Sequence, residues 1–312
     1  MPTRKSPRKG SLQFWPRKRA AKFLPSVNWD AIDSGKNLKG FICYKAGMVS
    51  VAVKDNTPNS MTKGKEIVIP ATILECPPLK IFSVRFYKNN KVMTEVLAQN
   101  LDKELKKKVK LPKKNEKKID EIKEYDDVRI IAYSEVKKTG IKKKPDLIEI
   151  GLKGSLEEKI NYIKEKLGKE ISVLDIFSAG QLVDIRGLTK GKGFSGPVKR
   201  FGIHLKFHKS EKGRRKPGNV GPWHPARVTF RVPMAGQLGM FTRVSYNKKI
   251  LEIGNFKDKE IKNLKNFGDI KTEYIIVKGS VQGPAKRQLI ITAPLRESKK
   301  TKKHEFEVIE LR

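Results

Sequence analysis

The chain has 312 residues, with 69 Lys and Arg against 33 Asp and Glu, for a formal net charge of +36 at pH 7. Such an excess repels itself in a compact monomer and calls for a polyanion nearby, because each phosphate that a lysine or arginine neutralises releases a counterion. No run of about 18 apolar residues is present to cross a bilayer. The basic N-terminus lacks the apolar core of a signal peptide, and Cys43 and Cys76 are too few for a disulfide framework. A cytoplasmic protein is therefore expected.

Residues 1–37 read as a basic N-terminal extension. Pro2, Pro7, Pro16 and Pro25 oppose helix and sheet. Phe14, Trp15, Phe23 and Trp29 interleave with Arg17, Lys18, Arg19 and other cations. Aromatic rings among cations can stack on bases while the cations hold phosphates, and a solvated tail is the alternative. Residues 38–312 read as one β-rich domain. GFICYKAGMVSVAV alternates like a strand, and EIVIPATILECPPLKIFSVRFYK reads as two more strands punctuated by Pro70, Pro77 and Pro78. Residues 94–127 mix acids and bases at helical spacing and predict a helical insertion. VRIIAYS and DLIEIGL are strands again. Ser155 and Glu158 form a capping box before a short helix, and Ser172 caps a turn.

After the strand GQLVDIRG the composition changes. From Arg186 to Ile250 there are 16 Lys or Arg, ten glycines and a single acid, Glu211. A compact domain does not carry so long a structureless stretch, so a central basic extension over about 196–245 is expected, reaching at most ~70 Å as a hairpin. Strands resume with MFTRVSYNKKILEIG, TEYIIVKGSVQGP, RQLIITAP and FEVIEL, with a helix predicted over KDKEIKNLKNF.

Catalytic chemistry finds little support in the residues. His204 and His208 have helical metal spacing, but no third ligand is close in sequence. IRGLTKGKGFSG fails the spacing of a phosphate-binding loop, and Pro197 spoils its reading as a dinucleotide fingerprint. No cofactor, metal or small-molecule substrate is predicted. Nucleic acid suits the extension better, because glycine lets backbone approach phosphate and Arg214, Arg215 and Arg227 offer forked donors. Trp223, beside the His224-Pro225 step, can stack on a base, and a small apolar cluster with Val220 and Val228 is the alternative.

Five stretches in order carry a family resemblance: GFICYKAGM at 40–48, DIRGLTKGKGFSGPVKRFG at 184–202, GPWHPARV at 221–228, AGQLGMFTR at 235–243 and KGSVQGPAKRQLII at 278–291. The chain resembles the universal family of ribosomal protein three of the large subunit, in its archaeal and eukaryotic-type version. That resemblance implies a mostly β, α+β fold with a translation-protein-type β-barrel body and long basic extensions that penetrate rRNA. It implies direct binding of large-subunit rRNA, a role in early assembly, neighbouring ribosomal proteins as partners, no membrane and no catalysis. The central extension would shape rRNA near the peptidyl-transferase centre, with Trp223 as its tip tryptophan and Arg214, Arg215 and Lys216 as the tract leading to it. The rRNA-binding residues expected on both grounds are Arg17, Lys18, Arg19, Lys190, Lys192, Lys199, Arg200, Arg214, Arg215, Lys216, Trp223, His224, Arg227 and Arg243. Eukaryotic relatives can carry a modified histidine where this chain has Glu211, so that modification does not transfer. Glu211 is expected to pair with a cation or occupy a solvated bend. An RNA-modifying enzyme and a general DNA-compacting protein are the rival readings.

Overall fold

The computed structural model describes residues 11–112, 119–122 and 124–312. The chain divides into two compact units: one comprises the chain up to Phe23 with Leu188–Arg243, and the other comprises Leu24–Gly187 with Val244–Arg312. The fold is mixed α/β with several sheets. In chain order its strands are β1 (Gly40–Asp55), β2 (Glu66–Cys76), β3 (Leu79–Lys88), β4 (Lys91–Leu97), β5 (Asp127–Ser134) and β6 (Leu147–Gly151). Helix α1 (Leu156–Lys166) precedes β7 (Leu182–Leu188), β8 (Phe194–Ser195), α2 (Pro197–Phe201), β9 (Gly236–Gln237) and β10 (Thr242–Asn255). Then come β11 (Glu273–Lys278), β12 (Gln288–Thr292), α3 (Lys299–Lys302) and β13 (Phe306–Leu311). No helix among the described residues is long and apolar enough to cross a membrane.

In the larger unit seven strands run in the order β12-β7-β10-β11-β2-β1-β13, and β12 also pairs with β1, so the order returns on itself. The long β1 makes this possible. Its first residues pair with β12 (Gly40↔Thr292), its last with β13 (Asp55↔Phe306), and β2 lies along most of its other edge. A second sheet, β4-β3-β5-β6, follows from the Pro77-Pro78 break after β2. Its β3–β4 hairpin turns on Asn89 and Asn90, with φ 51° and 59°, the left-handed pair that a two-residue hairpin requires. Ion pairs lace this sheet: Arg85 bridges Glu95 and Glu149, and Arg129 binds Asp127, Glu149 and Asp30. Helix α1 begins at the predicted capping box, with Ser155 Oγ accepting from Glu158 N and Glu158 accepting from Ser155 N.

Three expectations need correction. The helical insertion expected over 94–127 is a strand through Leu97, because Thr94–Leu97 pair with Phe86–Ser83 of β3 and bury Val96 in the main core. After it only 3-10 turns occur among the described residues, at Lys103–Lys107 and Ile119–Glu121, while the rest of the second predicted helix at 113–118 and 123 lies outside them. KDKEIKNLKNF forms turns, since Asn263 and Asn266 adopt φ 58° and 63°, which no right-handed helix accommodates. The N-terminal extension expected over 1–37 ends earlier: Leu24, Trp29 and Ile32 are buried in the main core. Trp29 is therefore not an RNA-facing ring. Its indole lies against two strands at glycines, where a Cβ on Gly40 or Gly151 would come within 2.8 or 3.0 Å of the ring.

Glu75 is a charged group inside this unit. Beneath the 256–272 connection its Oε1 accepts from Lys271 N (2.8 Å), Thr272 N (3.2 Å) and Thr272 Oγ1 (3.3 Å). Its Oε2 is buried with no hydrogen-bond partner among the described residues. Burial outweighs these bonds and pushes the carboxyl up from about 4.5 to about 7. Between those values the native chain holds a proton that the unfolded chain has released. Stability therefore falls as pH rises through that window, by up to about 3 kcal/mol at ~1.4 kcal/mol per unit. Glu75→Gln keeps an acceptor and removes the titration. Urea unfolding at pH 5 and pH 8 is expected to show a smaller loss for the variant, which becomes the more stable chain at pH 8. Parallel pH profiles would place the titration elsewhere.

Candidate nucleic-acid interface

The smaller unit joins residues 11–23 to Leu188–Arg243 among the described residues. Its base is a narrow ladder. Thr189 N donates to Phe241 O (3.0 Å), Lys192 N to Leu238 O (2.9 Å) and Leu238 N to Gly193 O (2.9 Å), and β8 pairs with β9. Gly239 permits this approach: at φ 79° a Cβ there would lie 2.0 Å from Lys190 O. Pro197 opens α2 at a position where its missing N–H is harmless, and Gly202, at φ 72°, ends it.

Arginines fasten the base. Arg200 donates from Nε to Gln237 O (2.9 Å), from Nη1 to Met234 O (3.0 Å) and from Nη2 to Arg17 O (3.2 Å). Arg17 Nη1 returns a bond to Arg200 O (2.6 Å), and its guanidinium lies 4.2 Å from the Phe201 ring centre. Trp15 stacks on buried Phe201 at 5.4 Å and meets Phe230 edge-on at 5.9 Å. Ala20 N donates to Met240 O (2.9 Å), and Arg243 sits 4.3 Å over Phe14. Burial lowers the pKa of Arg200 and Arg243 from the ordinary guanidinium value, with no carboxylate contributing.

Residues 203–235 form turns and bends without a regular strand or helix. Lys206 N donates to Arg214 O (3.1 Å) and Arg214 Nε to Lys206 O (3.3 Å), closing a turn. Glu211 is exposed within it, next to Lys212 and Gly213 at φ 54° and 93°. This is the solvated bend of the two alternatives expected for it. Trp223 is 84% exposed, and Val220 and Val228 are exposed as well, so these three do not form a buried satellite cluster. His224-Pro225 is a cis peptide in the same turn.

The expected site residues thus fall into two groups. Arg17, Arg200 and Arg243 are brought together with the aromatic rings at the base, where protein carbonyls and rings take up much of their donor surface. Lys18, Arg19, Lys190, Lys192, Lys199, Arg214, Arg215, Lys216, Trp223, His224 and Arg227 are exposed. Sequence reasoning missed Phe201, the ring on which Trp15 and Arg17 converge, because it reads no helix where Pro197–Phe201 forms α2.

Exposed cations and aromatics on a loop fastened without carboxylates define a nucleic-acid-binding protein. The family profile described as Ribosomal protein L3 matches residues 1–312. The large ribosomal subunit protein uL3 of Methanocaldococcus jannaschii is 44% identical over 307 residues, covering 93% of this chain and 91% of the relative. The uL3 proteins of Methanococcus vannielii and Methanobrevibacter smithii are each 42% identical, covering 93% and 95% of this chain and 91% and 93% of their own length. The chain belongs to the ribosomal protein L3 family, whose members are structural, non-catalytic, rRNA-binding proteins of the large ribosomal subunit.

The Arg200 clamp can be tested by hydrogen exchange. Arg200→Ala strands three carbonyls and is expected to destabilise the base locally by about 1–3 kcal/mol. The Lys192 and Leu238 amides should exchange about 10–100-fold faster, while amides of β2 and β11 keep their rates. Unchanged exchange at Lys192 and Leu238 would show that the ladder holds without the guanidinium.

Proposed function

We propose that this chain binds large-subunit rRNA through two basic segments, the N-terminal residues up to Phe23 and the central extension around 196–245. In this reading it supports early assembly of the subunit in the cytoplasm. The observation that carries the reading is the exposure of Trp223 among Arg214, Arg215, Lys216 and Arg227 with no acid beyond Glu211. Those cations screen converging phosphates so that rRNA helices can pack closely. Lys18, Arg19, Lys190, Lys192 and Lys199 do the same from the base. Arg17, Arg200 and Arg243 act chiefly by holding the base in shape. Trp223 and His224 offer flat surfaces to unstacked bases near the peptidyl-transferase centre, and the protein makes or breaks no bond. The strand order that returns through the β12–β1 pairing supports a β-barrel body. Neighbouring large-subunit proteins complete its surroundings.

Sucrose-gradient profiles of lysate washed at rising salt test this assignment. The protein is expected to stay stoichiometric in the large subunit through washes that strip loosely held basic proteins, and early release would overturn the reading. Trp223→Ala removes one stacking contact, worth about 1–3 kcal/mol, and leaves the phosphate contacts in place. Mutant subunits are expected to assemble with the protein at normal stoichiometry but to show slower tRNA accommodation or peptide-bond formation. Wild-type rates for both steps would exclude the tip role.

A further inference from the structure

The only two cysteines of the chain, Cys43 and Cys76, are buried free thiols. They are too few for a disulfide framework, yet the seven-stranded sheet sets them face to face. β1 and β2 pair antiparallel with Tyr44 against Glu75, so one step further along the ladder Cys43 lies opposite Cys76. At this step neither backbone bonds the other. Lys45 N donates to Arg287 O, so by alternation the N–H and C=O of Cys43 also turn toward β12, where Leu289 is its partner. Cys76 pairs with Glu273 of β11 on the far side of β2. In such a non-bonded pair the Cα atoms stand about 4.5 Å apart and the side chains are at their closest. That separation lies within the range a disulfide spans. The two thiols are near enough to hydrogen-bond each other.

Both side chains are fully buried in the main core. Cys76 is the last residue of β2, and Pro77 and Pro78 follow with no N–H to offer a neighbouring strand. The pair therefore sits where the β1–β2 ladder ends, and opening there breaks few bonds between these strands. Burial holds the Cys76 thiol well above its ordinary pKa, and the neighbouring Cys43 adds to the shift. The closed sheet thus keeps this thiol protonated and inert. Reaction belongs to the opened ladder end, and closure then shields the product. No third cysteine competes for either thiol.

We propose that Cys43 and Cys76 are a modification site, at which a small-molecule disulfide of the glutathione class oxidises the pair to a cross-strand disulfide. In the opened end one thiol loses its proton, and its thiolate attacks the small disulfide. A mixed disulfide forms and one small thiolate leaves. Closure brings the second cysteine against it; its thiolate attacks the protein-side sulfur and the second small thiolate leaves. The protein gives up two electrons and two protons, and the reagent is reduced to two thiols that take up those protons. In a reducing compartment the pair stays as thiols, and the bridge forms when the balance of small thiols and disulfides turns oxidising. It ties β1, the strand that also pairs with β12 and β13, covalently to β2. Closing the loop between residues 43 and 76 restricts the unfolded chain and so stabilises the folded one. The site goes beyond the rRNA-binding reading and does not depend on it.

The test uses the full chain, incubated with oxidised glutathione, quenched with acid and mapped as peptides without reductant. The wild type is expected to become lighter by two hydrogens, to yield a linked Cys43–Cys76 peptide and to gain about 1 M in urea midpoint, which reductant reverses. Cys43→Ala is expected to stop at a single glutathione on Cys76 and to gain nothing in midpoint. Glutathione on both cysteines of the wild type, with no linked peptide, overturns the site. Two thiols that survive oxidant in urea just below the unfolding midpoint, where the ladder end opens, overturn it as well. A linked peptide that lowers the midpoint shows that the native strands do not present the pair for bridging, and that result overturns it too.

Discussion

The distribution of carboxylates constrains everything else in this protein. Residues 1–23 and 188–243 hold 21 lysines and arginines and one acid, Glu211, while the other 32 acids lie in the larger unit. Where acids are present, ion pairs organise the surface, as Arg85 and Arg129 do across the four-stranded sheet. Where they are absent, cations must find other partners. The smaller unit uses backbone carbonyls and aromatic faces: Arg200 on Gln237 O and Met234 O, Arg17 on Phe201, Arg243 on Phe14. Such partners orient a guanidinium without cancelling its charge.

Most strands were legible because their alternation and punctuation are local properties. Pro77-Pro78, the Val- and Ile-rich runs and the Ser155 capping box each act within a few residues. The errors came where a distant partner overrode local preference. Thr94–Leu97 sits in a stretch with helical charge spacing, and only pairing with β3 makes it a strand. Trp29 has cationic neighbours in sequence, but Gly40 and Gly151 supply the flat surface that takes its ring. A glycine inside a strand hints at such a close approach without naming what approaches. The closure of β12 on β1 joins residues some 250 apart and leaves no local trace.

The site divides in the same way. Exposure of the 203–235 loop follows from composition, since glycine, proline and like charges there exclude a packed core. Which cations face solvent and which are held by the protein does not follow. Arg200 and Lys199 are adjacent in sequence, yet one spans three carbonyls and the other is exposed.

The side chains that clamp the base of the smaller unit are arginines, and the physics of the guanidinium explains it. A planar guanidinium can send bonds to several carbonyls at once, as Arg200 does, and still sit over a ring, as Arg17 and Arg200 both do at Phe201. An ammonium on a flexible stem cannot hold that geometry. It can follow a phosphate, and lysine occupies the exposed positions 18, 190, 192 and 199 around the same base. The base thereby gains rigidity from arginine while its charge stays uncompensated. A carboxylate clamp in place of the carbonyls would have fastened the hairpin as well, but each one would have removed a unit of the charge that draws the loop to RNA.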